Sequence, residues 1–547
     1  MANRSRGRRP GRAGAAVAYL AVLGAVVSGC AGLGTAATGS PSATGSPSAT
    51  ASLAPTPPKQ PPPQLTQTQV QDAVGRLDGL VREAMRRTGV PGVAVGVVHR
   101  GRVVYAKGFG VRELGKAGKV DPGTVFQLAS VSKPLSSTVV AGAVGRKVAG
   151  WDDRIVDHDP GFALKNPYVT ANVTVADLFS HRSGLPDHAG DLLEDLGYPR
   201  DYILGHLRLE PLAPFRATYA YTNYGLTEAG VAVADAAKAG WPRLAADLLF
   251  RPLGMDHSSY RRADYDKAAN KASAHVEADG RWRPSVTENA DSQAPAGGAS
   301  SNVDDLTKWM RLQLDNGAFG GRQLIDPAAL DQTRIPHSVA MDPLAPAGEP
   351  GFYGLGWNVG YDERGRLRLN HSGAFDLGAA TEVTLLPTER LGIVVLTNGQ
   401  PIGVPEAVAA AFFDIAQNGK QTVDWLAFFR KVVEAAAYTG VSPTDYAKPP
   451  AHAAPARAAD VYTGTYANDY YGPVTVTSDA GGNLSMTLGP RKMSFPLKHY
   501  AGDTFSYRTR GENAVGLSGV TFHTGSGDST SVTVEHLDAD GLGTFRR

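Results

Sequence analysis

Strand-like segments at both ends of a long helical middle constrain the fold more than any other feature of this sequence. Two apolar segments, 93–99 and 103–106, flank Arg100-Gly101-Arg102 and predict a hairpin. Helical periodicity then dominates about 170 residues. Strand-like segments return only late in the chain, at 353–359, 366–370, 381–386 and 392–396. We therefore predict an α/β (α+β) fold: one sheet assembled from distant segments, with helices on its faces and an inserted helical lobe.

Amphipathic helices are predicted on either side of these strands. Residues 66–88 place apolar side chains on one face, and residues 405–417 form a helix after the last strand. A further helix, 425–438, leads into a Pro-rich linker at 448–455. Short alternating segments fill 461–547 and predict an antiparallel sheet or a small barrel. The predicted domains are a body at 65–420, a helical connection and linker at 421–454, and a C-terminal β domain at 455–547.

The N-terminus has the layout of a secretory signal. Five arginines precede an uncharged run at 13–29, which ends at Cys30, the single cysteine of the chain. A run of about 17 residues rich in Gly and Ala is short for a membrane-spanning helix. Residues 27–30 resemble a bacterial lipoprotein signal, so 1–30 is predicted to be a signal peptide whose cleavage leaves Cys30 as a lipid anchor. Residues 31–64 repeat Ala-Thr-Gly-Ser-Pro-Ser, which predicts a disordered tether.

These features predict an exported protein at the outer face of the cell membrane, with secretion after cleavage elsewhere as the alternative. The formal net charge is +2 and includes the arginines of the signal, so the remaining body is close to neutral. That charge balance excludes a basic nucleic-acid-binding surface. The membrane, reached through the lipid anchor, is therefore an expected partner, and nucleic acid is not.

Ser130 and Lys133 stand in S-x-x-K spacing at the predicted start of a helix. Residues three apart share a helix face, so the Lys133 amine can reach the Ser130 hydroxyl. The partial positive charge of a helix N-terminus favours a developing anion there. Serine becomes a nucleophile when a neighbour takes its proton, and a lysine desolvated among apolar groups can be that base. The spacing by itself also fits a solvated lysine after a capping serine.

Tyr221 and Asn223 form a second candidate motif, Y-x-N. A tyrosine beside a lysine amine can pass protons between nucleophile and leaving group, while Asn223 can orient Lys133 and a substrate amide. Taken alone, this pattern fits a buried tyrosine that only packs. The motif gains weight because it follows Ser130 and Lys133 in the chain.

The third candidate motif is His371-Ser372-Gly373, followed by Ala374. A Gly-containing edge strand lets a substrate backbone approach closely. The N–H groups of Ala374 and Ser130 can then hold an oxyanion together. Taken alone, this segment fits a turn.

In this order, the three motifs resemble those of the serine β-lactamase and penicillin-binding-protein superfamily, closest to class C β-lactamase-like hydrolases. The segments that carry the resemblance are 124–134, 178–187, 252–255, 296–298 and 371–374. The resemblance covers about residues 66–417, and the final region is similar to a small β domain often appended to such hydrolases. It implies a β-lactamase-like sheet with flanking helices, and it implies no cofactor and no metal.

The resemblance also implies a role for each matched residue. Ser130 is expected to be the acylated nucleophile, Lys133 its base and Tyr221 the proton shuttle. The residues expected around the substrate are Asn223, His371, Ser372, Gly373 and Ala374. Many relatives carry lysine where this chain has His371, and an unperturbed histidine is mostly uncharged at neutral pH. A permanent cation for a substrate carboxylate is therefore missing, which disfavours an efficient β-lactamase.

The predicted function is an exported serine hydrolase (EC 3) that acts through an acyl-serine intermediate on an amide or ester. A D-amino-acid peptide, an ester and a β-lactam-like compound all remain open as substrates, and a cell-wall peptide is one candidate. The alternative is a penicillin-binding-like protein that binds or senses cell-wall material without turnover. His181, His188 and Asp187 are potential metal ligands, but no H-E-x-x-H spacing accompanies them, so a structural turn near the site is favoured.

Overall fold

The computed structural model describes residues 63–547 except 344, 346, 347, 363, 438, 439 and 526. The predicted signal peptide, its Cys30 and nearly all of the predicted tether lie outside the described residues. Within the described part, no helix combines the length and the apolar character needed to cross a membrane.

The centre of the molecule is an eight-stranded antiparallel sheet built from both ends of the body. Its strands are β1 (Gly92–His99), β2 (Arg102–Gly110), β3 (Ser338–Met341), β4 (Gly351–Tyr353), β5 (Asn358–Tyr361), β6 (Leu367–Phe375), β7 (Ala379–Leu386) and β8 (Leu391–Thr397). The spatial order is β2-β1-β8-β7-β6-β5-β4-β3. The predicted hairpin is confirmed as β1 and β2, and β1 pairs with β8, so that Val95 lies opposite Val395. The expected assembly of one sheet from distant segments is confirmed.

Helices cover both faces of this sheet. The longer helices are α1 (Gln67–Thr88), α2 (Ser132–Gly145), α3 (Asn223–Ala236), α4 (Val303–Leu314), α5 (Val404–Asn418) and α6 (Trp425–Ala437). Successive side chains of a strand point to opposite faces. Accordingly, Val95 packs in the cluster formed with α1, α5 and α6, whereas Ala94 packs in the core shared with α2 and α4. Burial on both faces explains why β1 is an almost continuous apolar run.

Cap residues set the ends of α1. The Thr66 hydroxyl accepts a hydrogen bond from the Gln69 N–H while the Gln69 side chain accepts from the Thr66 N–H, which is a reciprocal capping box. Gly89 follows the helix with a φ of 70°. That left-handed conformation favours glycine, so the helix ends where the sequence predicts.

The inserted lobe contains short helices rather than one continuous helical region. They are Ile155–His158, Pro167–Asn172, Val175–Phe179, Asp191–Asp195, Arg200–His206, Trp241–Ala245, Arg251–Leu253, Arg262–Lys267, Ala294–Gly297 and Pro327–Asp331. Short strands also interrupt the lobe, including the hairpin of His275–Ala278 with Arg281–Pro284. Asp279 and Gly280 take positive φ angles of 52° and 70° there, as a two-residue hairpin turn requires. The expectation that strands return only late in the chain is wrong at this point.

The late strands differ from their predicted bounds in two places. The predicted strand 353–359 is split into β4 and β5, because Gly356 turns the chain with a φ of 79°. The strand β6 lies inside the sheet rather than at its edge, which corrects one expectation. However, the pairing of β5 with β6 stops at Asn370, so among the described residues 371–375 pair with β7 alone. The segment that carries the third motif therefore has one open side.

The C-terminal domain is an antiparallel meander that nearly closes on itself. Its strands are β9 (Gly464–Tyr466), β10 (Val474–Ser478), β11 (Leu484–Leu488), β12 (Met493–Pro496), β13 (Lys498–Ala501), β14 (Thr504–Arg508), β15 (Leu517–Thr524), β16 (Ser529–Val534) and β17 (Thr544–Arg546). They form a four-stranded and a five-stranded sheet, and Ala467 bridges to Arg546 between the first and last strands. The fold class is confirmed: a β-lactamase-like body followed by an antiparallel β domain.

The C-terminal domain packs on the inserted lobe beside the third motif. The Tyr198 hydroxyl donates to the Tyr471 carbonyl at 2.7 Å. The Asp195 carboxylate accepts from the backbone N–H groups of Glu512 and Asn513, each at 3.0 Å. Because backbone groups of one domain bond to side chains of the other, the two domains hold a defined relative position.

Candidate active site

Ser130 lies in a tight turn that leads into α2. Residues Ala129–Val131 form a 3₁₀ turn, and the α-helix begins at Ser132. The turn places the Lys133 Nζ 3.0 Å from the Ser130 Oγ. Ser130 and Lys133 therefore meet as the spacing predicts, although the regular helix starts two residues later than expected.

Lys133 is fully buried and has three hydrogen-bond acceptors around its amine. Besides Ser130, these are the Asn223 Oδ1 at 2.7 Å and the Ala296 carbonyl at 3.1 Å. Burial lowers the pKa of Lys133 to about 7, while the nearby Asp191 charge opposes that shift. A neutral amine has two N–H groups and one lone pair. When the Asn223 Oδ1 and the Ala296 carbonyl accept hydrogen bonds from these two N–H groups, the lone pair is free to take the Ser130 proton.

Tyr221 completes the group around the nucleophile. Its hydroxyl donates to the Ser130 Oγ at 2.9 Å, and the Lys133 Nζ lies 4.5 Å from the centre of its ring. Burial raises the pKa of Tyr221, so the side chain keeps its phenolic proton. Tyr221 can therefore deliver a proton to an atom that leaves next to Ser130.

Asn223 joins Lys133 to a carboxylate that the sequence did not indicate. Its Nδ2 donates to the Asp191 Oδ2 at 2.8 Å, and the same oxygen lies 2.7 Å from the His188 Nδ1. Asn223 is 7% exposed and is engaged at both ends of its amide. The geometry thus supports the expected orientation of Lys133 by Asn223, while it shows the amide directed at Asp191 as well.

His371 is buried and has no free ring nitrogen. Its Nδ1 lies 2.7 Å from the Ser372 carbonyl, which only accepts, so Nδ1 carries the proton. The Nε2 atom then accepts from the Tyr353 hydroxyl at 2.9 Å. Burial, with a smaller effect of the Lys133 charge, lowers the pKa of His371 to about 3. His371 is therefore neutral and offers no cation to a substrate carboxylate.

Ser372 faces away from the nucleophile, which corrects its predicted place around the substrate. Its hydroxyl donates to the buried Glu382 Oε2 at 2.7 Å. The alternation of side chains along β6 sends Ser372 to the face of the sheet opposite His371. The hydroxyl therefore does not reach a substrate at Ser130.

Gly373 lets the backbone of β6 approach the nucleophile turn. A Cβ at this position would lie 3.0 Å from the Ser130 nitrogen and would also collide with the Leu128 carbonyl. Only glycine fits there. Ala374 follows directly, so the expected pairing of its N–H with that of Ser130 around an oxyanion stays a prediction that this close approach supports.

Several residues of the site were missed or given a lesser role in the sequence. His181 packs against Tyr221 with ring centres 4.5 Å apart, and its Nδ1 accepts from the Thr222 N–H at 3.2 Å. Tyr353 holds His371, and Asp191 holds Asn223 from 32 residues away. The 178–187 segment already included His181, but no spacing pattern links Asp191 or Tyr353 to the three motifs.

A family model described as Beta-lactamase matches residues 77–416, which include all three motifs. The chain belongs to the beta-lactamase family. The resemblance to the serine β-lactamase and penicillin-binding-protein superfamily is thereby confirmed. The family match supports a serine hydrolase of the acyl-serine type in general, and this class implies a small-molecule or peptide substrate. Residues 448–543 match a second model, the domain of unknown function DUF3471.

Relatives of this beta-lactamase family member include proteins named as hydrolases. "Unguisins hydrolase ungD" of Aspergillus violaceofuscus is 24% identical over 477 residues, which are 79% of this chain and 82% of that protein. "Unguisins hydrolase ungD'" of Aspergillus campestris is 27% identical over 335 residues, 58% of this chain and 60% of that protein. "Protein flp" of Staphylococcus aureus is 24% identical over 346 residues, 62% of this chain and 65% of that protein. This chain thus spans less than two thirds of the second and third of these relatives.

Solved structures share the fold of this beta-lactamase family member. The octameric penicillin-binding protein homologue from Pyrococcus abyssi aligns with a TM-score of 0.55 at 19% identity, over 84% of this chain and 98% of that chain. The class C beta-lactamase from Rhodobacter sphaeroides aligns with a TM-score of 0.50 at 20% identity, over 62% of this chain and 97% of that chain. At these identities the likeness concerns the fold alone.

Proposed function

We propose that the protein is a peptidase-type hydrolase that cleaves an amide bond of a short peptide through an acyl-Ser130 intermediate. The observation that carries the proposal is the hydroxyl of Ser130 held at 3.0 Å by the Lys133 amine and at 2.9 Å by the Tyr221 phenol. A base and a proton donor thus contact the same nucleophile.

Each step has an assigned proton carrier. Ser130 Oγ attacks the amide carbon while the neutral Lys133 amine takes the hydroxyl proton. The C–N bond breaks as Tyr221 gives its proton to the leaving amine, and the Lys133 ammonium returns a proton to Tyr221. Water then attacks the acyl-serine ester as the neutral Lys133 amine takes its proton. Ser130 leaves with a proton from Tyr221, which the Lys133 ammonium replaces, so both groups return to their starting states.

One feature suits an amide substrate, and a second disfavours a β-lactam. A leaving amine must be protonated as the C–N bond breaks, and Tyr221 remains a protonated phenol beside Ser130 because burial raises its pKa. His371 is neutral with both ring nitrogens engaged, so the cation that would bind a substrate carboxylate is missing. The relatives named unguisins hydrolases also support peptide hydrolysis.

We further propose that the enzyme is exported and anchored to the membrane through a lipid on Cys30. The support is the N-terminal pattern of arginines, an uncharged run and a lipoprotein-like sequence before Cys30. Mass spectrometry of the membrane-extracted N-terminus is expected to find a diacylated Cys30. Recovery of an unmodified chain that starts elsewhere, in the culture medium, would replace anchoring by secretion.

The hydrolase proposal is tested with the purified protein and its Ser130→Ala variant. A fluorophosphonate is expected to give one adduct by intact-protein mass spectrometry, located on Ser130 and lost in the variant. Among chromogenic substrates, aminoacyl p-nitroanilides should turn over at rates that approach those of p-nitrophenyl esters, and nitrocefin should turn over slowly. Absence of any adduct would refute the proposal and favour a protein that binds without turnover, and efficient nitrocefin hydrolysis would refute the peptidase assignment.

A further inference from the structure

A cavity of about 250 Å³ lies where the inserted lobe meets the C-terminal domain. The hydrolase body contributes residues 187–192, Glu210 and Asp376 to its walls, and the C-terminal domain contributes several more. One buried water needs about 10–15 Å³ by the same kind of measure. The cavity is therefore large enough for a group the size of an amino-acid side chain.

Carboxyl groups from both domains line this cavity. Its carboxylates are Asp187, Asp191, Glu210 and Asp376 of the body and Glu512, Glu535 and Asp540 of the C-terminal domain. Among the residues that the structure describes, no lysine or arginine lines the cavity. Two histidines, His188 and His536, are the only lining side chains there that can become cationic. Such a concentration of carboxyl groups favours a ligand of the opposite charge.

Three of these carboxyl groups, those of Asp187, Asp191 and Glu210, have one buried oxygen without a hydrogen-bond partner among the described residues, and the His188 Nε2 also has none. Asp191 is 3% exposed and Glu210 is 2% exposed. The Asp191 Oδ1 and the Glu210 Oε2 have no hydrogen-bond partner within the described part of the chain. The other Glu210 oxygen accepts from the Tyr470 hydroxyl, which is a neutral donor. A buried carboxylate oxygen without a partner carries a desolvation cost that a bound cation removes.

Glu512, Glu535 and Asp540 make no ion pair within the described part of the chain. Glu512 accepts from the backbone N–H groups of Asp376 and Leu377, and Glu535 accepts from the Ser442 hydroxyl. Burial raises the pKa of Asp540 to about 6 and that of Glu210 to about 7.

Burial lowers the pKa of His188, but the neighbouring Asp187 and Asp191 raise it on balance, so His188 compensates part of the charge beside it. The seven lining carboxyl groups still outnumber the two histidines among the described lining residues.

The spacing of these groups does not suit a metal ion. The described residues contain no cluster of three His, Cys, Asp or Glu side chains close enough to hold one. The carboxylates instead surround a space of about 250 Å³. A wider organic cation, such as an alkylammonium group, fits that spacing better than a point-like ion.

The cavity adjoins the catalytic group. Asp191 accepts from Asn223, which holds Lys133, and the backbone N–H of His188 donates to the Tyr221 carbonyl at 2.8 Å. Asp376 lies two residues beyond Ala374 on the other side. Residues of the cavity wall therefore bond directly to the residues that hold Ser130 and Lys133.

We propose that this cavity, which we call the acidic subsite, binds a protonated amino group of the substrate and that the C-terminal domain completes it. The proposal rests on the proposed hydrolase function and adds a substrate class, cationic peptides with a free ammonium group. It also gives the C-terminal domain a role in specificity, because Glu535 and Asp540 contribute charge from beyond the family-model match that ends at residue 416.

The test compares two fluorophosphonates of equal size on the full-length protein. One carries a 4-aminobutyl group, which is an ammonium at neutral pH, and the other carries an uncharged n-pentyl group. Intact-protein mass spectrometry gives the second-order rate of Ser130 labelling by each. We expect the ammonium reagent to react about tenfold faster or more, since tenfold corresponds to the gain from one modest ionic contact. In the double variant Glu210→Gln/Asp540→Asn the ratio should fall to about 1–2.

Matched variants separate a local effect from a general one. Asp460→Asn removes an exposed carboxylate of the same domain outside the subsite and should leave the ratio as in wild type. Asp540→Asn alone guards against misfolding of the double variant, because its side chain lies at the solvent-exposed mouth, and it should lower the ratio about threefold. A wild-type ratio near 1, or a ratio that survives both subsite variants, overturns the proposal.

Binding without reaction keeps the subsite testable by itself. Calorimetry on the Ser130→Ala variant should detect binding of pentylammonium but no binding of 1-pentanol. Pentylammonium binding should be lost when Glu210→Gln and Asp540→Asn are added to this variant. If neither reagent labels Ser130 while pentylammonium binds, the proposed hydrolase function fails and the cation site stands. If Ser130 is labelled but pentylammonium and 1-pentanol bind alike, the subsite fails and the hydrolase stands.

Discussion

The charge of Asp191 should set the pH at which Ser130 becomes reactive. Lys133 acts as base only when it is neutral, so labelling of Ser130 should rise with pH through the Lys133 pKa of about 7. Asp191 favours the charged form of Lys133, and its replacement by asparagine removes that influence while an oxygen remains for Asn223. The Asp191→Asn variant should therefore have a lower Lys133 pKa, and its rate should rise at lower pH.

The size of the shift follows from the path between the two charges. Two hydrogen bonds, of 2.7 and 2.8 Å, and one amide group separate the Lys133 amine from the Asp191 carboxylate. Two unit charges about 7 Å apart at an effective dielectric constant of about 20 interact by about 2 kcal/mol, or about 1.5–2 pKa units. A protonated His188 beside Asp191 cancels part of this effect. We expect the rise of the labelling rate with pH, the acid limb of the pH–rate profile, to move to lower pH by about 1–2 units.

The assay is the rate of Ser130 labelling by the uncharged n-pentyl fluorophosphonate between pH 5 and pH 9. This reagent does not depend on the acidic subsite, so the profile reports Lys133 alone. Asp201→Asn, which removes an exposed carboxylate from the same lobe, should reproduce the wild-type profile. If the acid limb stays in place or moves to higher pH in Asp191→Asn, the charge of Asp191 does not raise the pKa of the base that activates Ser130.

Three further variants probe the site and the sheet. Gly373→Ala should reduce Ser130 labelling about 100-fold or more, measured by intact mass, because the new methyl group displaces the strand from the nucleophile turn. Tyr221→Phe should reduce p-nitroanilide turnover about 100-fold but p-nitrophenyl ester turnover about tenfold or less, because p-nitrophenoxide is a stabilised anion that leaves without a proton. Glu406→Gln should raise the melting temperature at pH 8 relative to wild type but not at pH 4.5, because burial raises the Glu406 pKa to about 8 and the acid form is the stable one.

Each variant has a control or a contradicting outcome. Gly205→Ala, at a helical glycine with open space around it, should leave labelling unchanged, and equal losses in both glycine variants would contradict the steric argument for Gly373. Equal losses on anilide and ester in Tyr221→Phe would show that the phenol does not protonate the leaving group. The stability that protonated Glu406 supplies is fully present below its unfolded pKa of about 4.5 and is lost as pH rises to about 8. A melting-temperature difference that is constant with pH would refute this origin.

Local patterns in the sequence were sufficient for the nucleophile and its base. Ser130 and Lys133 are three residues apart on one turn, so helix geometry alone brings them together. The hairpin of β1 and β2 is likewise predicted by two short apolar segments around Arg100-Gly101-Arg102. The meeting of these groups with Tyr221 followed from the order of three motifs and a family resemblance, because no local rule fixes a contact across 91 residues.

Contacts created only by the tertiary fold were not predictable. Asp191 reaches Asn223 across 32 residues, and Tyr353 reaches His371 across a sheet whose late strands were misjudged at Gly356. The third motif groups Ser372 with His371 and Gly373 around the substrate because a sequence motif consists of consecutive residues. A strand sends consecutive side chains to opposite faces, so only alternate members of such a motif can point at the same ligand.

The pairing of β1 with β8 also governs when the chain can begin to fold during synthesis. Val93 lies opposite Thr397, so a ribosome must add about 300 residues before the first hydrophobic strand gains one of its two neighbours. Until then β1 and β2 form a hairpin with one apolar edge unpaired, which is a template for aggregation. The chain therefore exposes apolar surface through most of its synthesis, and transient cover of the β1–β2 hairpin over that interval would reduce its aggregation.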